Sequence, residues 1–147
     1  MEKAGSSILP RRTYMLLVKT SVRPSPLNGM GLFAEEFIPK GTIIWEFNPL
    51  VDKILTEREL RTLPEVAQDA YRHYSHFSKK TGGHTLSFDN DRFINHAEEP
   101  NTEDIDTGNA ELATVAACDI QKGEEITCNY YAFYTKEDAE RKLNQSA

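Results

Sequence analysis

Three stretches of this chain concentrate residues that could do chemistry. In Ser25-Pro26-Leu27-Asn28-Gly29-Met30-Gly31-Leu32-Phe33-Ala34, two glycines stand one residue apart. Lacking Cβ atoms, they let the backbone pass close to a ligand and free its N–H groups for an anion. A lone Gly-x-Gly is more often just a tight turn, and this one lacks the third glycine and following helix of a dinucleotide site. In Arg92-Phe93-Ile94-Asn95-His96-Ala97-Glu98-Glu99-Pro100-Asn101, an apolar run ends abruptly in Asn-His. An asparagine side chain both donates and accepts, so it can hold the ammonium and carboxylate ends of an amino acid. Composition alone favours the plainer reading, in which Asn95 and Asn101 cap turns. The third stretch, Gly123-Glu124-Glu125-Ile126-Thr127-Cys128-Asn129-Tyr130-Tyr131, continues to Phe133 and Tyr134. Aromatics at a strand end usually mean core packing, but they can also wall a narrow channel for a cationic or methylated amine.

These residues need strands and turns to position them. The spacing predicts strands over Tyr14 to Val22, Thr42 to Phe47, His84 to Phe88, Arg92 to Asn95, Glu111 to Ala117 and Ile126 to Tyr131. Arg23 to Gly31, rich in Pro and Gly, must be a loop. Thr56 with Glu59 is a capping box, and a second helix is expected from Pro64 with Val66, Ala70, Tyr74 and Phe77 on one face. Gly82-Gly83 ends that region. Thr135 with Asp138 suggests the cap of a short final helix. Ile38-Pro39-Lys40-Gly41 and Ile120-Gln121-Lys122-Gly123 echo one another, either as a duplicated turn or as a common strand-entry pattern. Helices clustered between strand regions imply α+β and not alternating βαβ units.

The chain has 147 residues, enough for one domain with its own core. Seventeen Lys and Arg against 23 Asp and Glu give a formal charge of -6, which argues against a direct nucleic-acid face; it suits a cationic partner, but mild acidity common to many soluble proteins explains it better. No apolar run reaches membrane-spanning length, and Met1 to Pro10 has no secretory pattern, so an intracellular protein is expected. Cys118 and Cys128 form no CxxC pair, and neither a disulfide framework nor a metal site is expected. His73 and His76 are three apart on the expected helix, a spacing better explained by solvent-facing side chains than by a metal pair. Asp89-Asn90-Asp91 reads as a turn.

Taken together and in this order, the three stretches resemble the SET-domain methyltransferase family. The first is similar to its Gly-x-Gly cofactor loop. The second resembles its Arg-Phe-x-Asn-His-Ser-Cys-x-Pro-Asn motif at Arg92, Phe93, Asn95, His96, Pro100 and Asn101. The third resembles its Gly-Glu-Glu-Leu-Thr-x-x-Tyr motif, and Trp45-Glu46-Phe47 stands where the family has a Glu-aromatic strand. The resemblance spans roughly Tyr14 to Phe133.

What it implies is specific. The fold would be α+β and mainly β: several small twisted sheets around a pseudoknot, with a short helical insert and a short C-terminal helix. Residues 1–12 would be a mobile lead-in, 13–134 the SET domain with its insert near 56–80, and 135–147 a terminal helix or tail. The activity would be S-adenosylmethionine-dependent methylation of lysine in a protein or peptide substrate, a histone or another Lys-rich protein. Gly29, Met30, Gly31, Asn95, His96, Tyr130 and Phe133 would meet the cofactor. Tyr130 would be catalytic. Trp45, Cys128, Tyr131 and Tyr134 would line the substrate channel.

The departures point the other way. Ala97-Glu98 replaces Ser-Cys, Met30 replaces a frequent Arg or Lys, and no cysteine-rich flank is present, so Phe133, Tyr134 and the last helix would have to close the cofactor pocket. Cys128 replaces a frequent Phe or Tyr, which would widen the channel. The rival expectation is a catalytically weak or inactive SET module that binds a peptide or partner. Monomer and homodimer are both compatible with the sequence, as are cytoplasm and nucleus.

Overall fold

The computed structural model describes residues 16–132 and 136–146. Among these residues the strands are short and gather in three small sheets. In the first sheet the order is β1 (Thr20–Pro24), β2 (Met30–Ala34), β10 (Glu125–Cys128) and β7 (Asn95–His96). Its last pair is parallel, with Thr127 opposite Asn95 and Cys128 opposite His96, so the chain's final strand lies between two much earlier segments. The second sheet holds β3 (Ile43–Trp45), β9 (Ala113–Ala116) and β8 (Thr102–Ile105). The third holds β4 (Lys53–Leu55), β6 (His84–Leu86) and β5 (His76–Phe77). This is the expected α+β, mainly β architecture.

Alternation explains which side chains go inside. Leu32, Ile44 and Ile126 are fully buried from strands of the first two sheets and pack with Ala34, Ile38, Ile94, Ala116 and Ile120. Each large aliphatic residue removed from water contributes roughly 1.5–3 kcal/mol. Cys128 packs against this cluster as a small apolar side chain, and both cysteines are free thiols.

The two Ile-x-Lys-Gly turns form a reciprocal pair. Ile38 and Ile120 exchange both backbone hydrogen bonds at 2.8 Å. Gly41 N–H donates to Ala116 O at 2.8 Å, and Gly123 N–H donates to Ala34 O at 2.7 Å. Both glycines have positive φ, 88° and 94°, which side chains disfavour. Each turn therefore caps the strand that precedes the other, and together they set the register of β10.

The capping box at Thr56 and Glu59 forms as expected and starts α1 (Glu57–Leu60). Such a cap contributes ~1 kcal/mol. The next helix, α2 (Glu65–Tyr74), starts one residue after Pro64. Its expected apolar face does not face the core: Val66 is 82% exposed. The helix docks through Tyr71 instead, whose hydroxyl lies 2.9 Å from Lys53 O and 3.1 Å from His84 O. A sheet of three very short strands beneath a short helix offers little apolar area, so a polar tip anchors it. Strands β4, β5 and β8 were not expected, because segments of two to four residues carry no readable period.

Two expected strands end differently. Arg92–Asn95 is mostly a 3-10 turn, Asn90–Phe93, capped where Asp89 accepts from Asp91 N–H at 3.1 Å. Asp and Asn side chains compete with strand pairing in this way. The last strand stops at Cys128, because Asn129 Oδ1 accepts from Tyr131 N–H at 3.0 Å and Tyr130–Ala132 turns into a 3-10 helix. Tyr14, Met15 and Thr135 lie outside the described residues. The final helix, α3 (Lys136–Ser146), buries Ala139, and Lys142 Nζ donates to His73 O at 2.6 Å and to Ser75 O.

Candidate active site

The glycine loop is held by a polar knot. Glu125, on β10, accepts from Ser25 Oγ at 2.8 Å on each carboxylate oxygen. Its Oε2 also accepts from Asn95 Nδ2 at 2.9 Å. Asn95 Nδ2 lies within 3.0 Å of Asn28 O and 3.1 Å of Met30 O. One buried amide thus joins the loop, the Asn-His strand and the last strand. All of its bonds are made by Nδ2, which leaves Oδ1 as an acceptor.

The two glycines of the loop are required for different reasons. Gly29 has φ of 45°, in the left-handed region. At Gly31 a Cβ would stand 2.2 Å from Glu125 Oε2, so the close approach there is to this carboxylate. Asn101 is also more than a turn cap. Its Nδ2 donates to Glu125 O at 2.8 Å, and its Oδ1 accepts from Thr127 N–H at 2.9 Å, which imitates a neighbouring strand.

Tyr130 is fixed from both ends. Its backbone N–H donates to His96 Nδ1 at 3.1 Å, and its hydroxyl donates to Ile94 O at 3.1 Å. Burial, with Cys128 and Glu125 nearby, pushes that hydroxyl far above the usual phenol range, so it keeps its proton. The Tyr131 ring instead packs edge-on against His96, with centroids 5.5 Å apart, and is 42% exposed.

Two cavities meet here. The first, about 100 Å³, is walled by Trp45, Cys128 and Tyr130 together with Asp91, Asp104 and Glu111. The second, about 350 Å³, is bordered by Gly29, Met30, Phe93, Asn95 and Tyr130, together with His73 and Lys142. Tyr130 borders both.

Several expected site residues are thus brought together: Gly29, Met30, Asn95 and Tyr130 at the second cavity, Trp45 and Cys128 at the first. Gly31 and His96 border neither cavity; Gly31 lies against Glu125 and His96 is bonded to Tyr130. Tyr131, expected in the channel, borders neither cavity, because the strand has already turned before it. Phe133 and Tyr134 lie outside the described residues. Sequence reasoning missed Glu125 as the loop's anchor, Lys142 and the first cavity's carboxylates. His73 is exposed, as expected, but His76 is not a free surface histidine: it pairs with Glu111 at 3.3 Å. Burial pushes the Glu111 carboxyl up, but the hydrogen bond and charge of His76 outweigh it and hold it down at about 2. Among the described residues no three His, Cys, Asp or Glu side chains gather as a metal site would require.

A family model described as the SET domain matches residues 29–131. Among solved structures the chain resembles a candidate histone methyltransferase of Plasmodium falciparum. The identity is 23% and the TM-score 0.53, over 77% of this chain and 93% of that one. It also resembles a chain of a humanized mutant of the Chaetomium thermophilum Polycomb Repressive Complex 2, bound to the inhibitor GSK126. There the identity is 21% and the TM-score 0.57, over 81% of this chain but only 16% of that one. At such identities these likenesses are of fold. The family match takes in well over half of the chain, from the turn of the glycine loop to the tyrosine pair, and the chain belongs to the SET-domain family.

Proposed function

We propose that the protein is an S-adenosylmethionine-dependent protein lysine N-methyltransferase. The observation that carries this reading is the position of Tyr130, which together with Tyr74, Arg92 and Lys142 borders two cavities of different character. The second suits the cofactor. It combines a glycine-loop backbone, an asparagine oxygen free to accept from an ammonium, and cationic Arg92 and Lys142 for a carboxylate. Phe93 and Tyr74 add flat apolar surface for a purine. The first cavity suits a lysine side chain, and the formal charge of -6 suits a Lys-rich protein such as a histone.

When bound, the cofactor supplies an electrophilic methyl group on a sulfonium. The chain's own residues do the positioning. Tyr130 spends its proton on Ile94 O, so its oxygen faces the site as an acceptor that can orient an amine N–H. Trp45 and Cys128 wall the arm that carries the amine. Holding two reactants in line removes much of the entropic barrier.

Calorimetric titration with S-adenosylhomocysteine, followed by labelled methyl transfer to core histones and a cell lysate, tests this reading. Binding with transfer to lysine is expected. Binding without transfer to any protein would favour the inactive binding module, and absence of binding would contradict the reading.

A further inference from the structure

The first cavity is lined by more charged side chains, of both signs, than a sleeve for a hydrocarbon arm needs. Asp91 enters from the 3-10 turn, Asp104 from β8 and Glu111 from the segment before β9. Glu111 has a structural role: it is buried, accepts from Ser78 Oγ and Thr85 Oγ1 at 2.8 Å each, and pairs with His76.

Asp91 is different. Its carboxylate accepts from Ser87 Oγ at 3.1 Å, and among the described residues no cation pairs with it. Burial, together with the charges of Asp89 and Asp104, pushes its carboxyl up to about 7 against the pull of His76 and Ser87. Of the other cations around the cavity, Arg92 donates to Phe88 O and Asp89 O, Lys142 donates to carbonyls of α2 and the residue after it, and Lys79 is exposed. Asp91 and Asp104 also bear on the Cys128 thiol, which burial and these two charges keep protonated.

A second observation points to a ligand. Trp45, which walls the same cavity and is 2% exposed, has an indole N–H with no hydrogen-bond partner among the described residues. A buried donor left without an acceptor destabilises the fold unless a ligand supplies one. A bound peptide brings both missing partners, a carbonyl for the indole and a cation for the carboxylate.

Resting on the methyltransferase reading, we propose that Asp91 binds the target lysine's ammonium in the first cavity and accepts a proton from it. The ammonium gives one proton to the carboxylate, leaving a neutral amine and a carboxylic acid. The amine nitrogen then forms its bond to the methyl carbon as the carbon–sulfur bond breaks, the electron pair staying on sulfur. Asp91 returns its proton to water. Each methyl already on the nitrogen removes one N–H donor, so the carboxylate favours less methylated lysine even though Cys128 leaves room.

The test uses the full chain saturated with S-adenosylhomocysteine and the probe N-acetyl-lysine methylamide, with the norleucine analogue as control. Binding is followed by NMR for wild type, Asp91→Asn and Asp91→Glu. Asn keeps the Ser87 bond and loses only the charge. Asp91→Asn is expected to weaken the lysine probe about tenfold or more, leave the norleucine probe and S-adenosylhomocysteine unmoved, and be substantially rescued by Asp91→Glu. Single-turnover methyl transfer to core histones adds a second readout. Wild-type rate should rise through about pH 7, whereas Asp91→Asn should lose that limb, rise only toward the lysine pKa near ~10.4, and be ~100-fold slower at neutral pH. Equal affinity of wild type and Asp91→Asn for the lysine probe would overturn the proposal, as would a wild type that binds S-adenosylhomocysteine but not the probe. A wild type that binds no S-adenosylhomocysteine would instead overturn the methyltransferase reading, and the proposal with it.

Discussion

The backbone N–H of Tyr130 donates to Nδ1 of His96 across 3.1 Å, although the two residues are 34 apart in sequence. This bond puts the imidazole proton on Nε2 and pins the start of the last turn to the Asn-His strand. The Tyr130 hydroxyl reaches back to Ile94, so one strand end holds the tyrosine at both of its ends. The same segment carries Asn95, which holds the glycine loop. A single short segment therefore sets the geometry of both cavities.

Replacing Asn95 with Ala should weaken S-adenosylhomocysteine binding at least tenfold and lower Tm by several degrees. The buried amide leaves Asn28 O, Met30 O and Glu125 short of a donor, and such losses typically cost about 1–3 kcal/mol. Calorimetry and a thermal melt on the same sample measure both effects. Unchanged affinity in a folded Asn95→Ala protein would remove the residue from the cofactor site.

Gly31 and Glu125 should behave as a coupled pair. A methyl at position 31 collides with Glu125 Oε2, so Gly31→Ala should cost about 1–3 kcal/mol. In an Glu125→Ala background the collision is gone, and the added cost of Gly31→Ala should fall by at least half. Urea unfolding of the four variants gives the coupling energy. Additive costs would mean that the glycine is needed for some other reason.

Asp91→Asn should stabilise the protein at alkaline pH. Below about pH 4 the carboxyl is neutral in both the folded and unfolded chains, so the substitution changes little. Between pH 4 and about 7 the unfolded chain releases the proton while the folded chain keeps it, and wild-type stability falls as pH rises. Above pH 7 the penalty is complete and constant. Tm measured for both proteins should therefore coincide near pH 4 and differ by several degrees at pH 8, with the variant higher. A variant that gains nothing at pH 8 would mean that the Asp91 charge is not buried at a cost.

Much of this site is legible in the sequence because its motifs are local. Taken alone, Gly29 and Asn95 read as turn residues and Tyr130 as core packing, and only the ordered resemblance to the SET motifs singles them out; the capping box at Thr56 needs only two residues to be read. The strand pattern is less legible. A strand of two residues such as β7 exists because β10 lies beside it, and no local pattern encodes that neighbour. Glu125 looks like a solvated charge beside Glu124 until Asn95 and Ser25 are brought to it by the fold. Asp91 reads as a turn residue, which it is, and the turn is what aims it into the cavity. The resemblance puts Tyr131 in the channel, yet it borders neither cavity, and the turn that begins at Asn129 is not legible in a strand pattern that runs on to Tyr131.

Single-turnover methyl transfer by Tyr130→Phe and Tyr131→Phe, measured side by side with saturating cofactor and core histones, tests the central claim most directly. Phe keeps the ring wall between the cavities and loses only the hydroxyl that is held by Ile94 O. Tyr130→Phe should slow transfer by roughly 10²–10³, the usual cost of one well-placed contact in the transition state, with S-adenosylhomocysteine affinity within a fewfold of wild type. Tyr131→Phe, at a residue that borders neither cavity, should turn over near normally. Normal transfer in both variants, or collapse in Tyr131→Phe alone, would contradict the assignment of Tyr130 as the residue where cofactor and substrate meet.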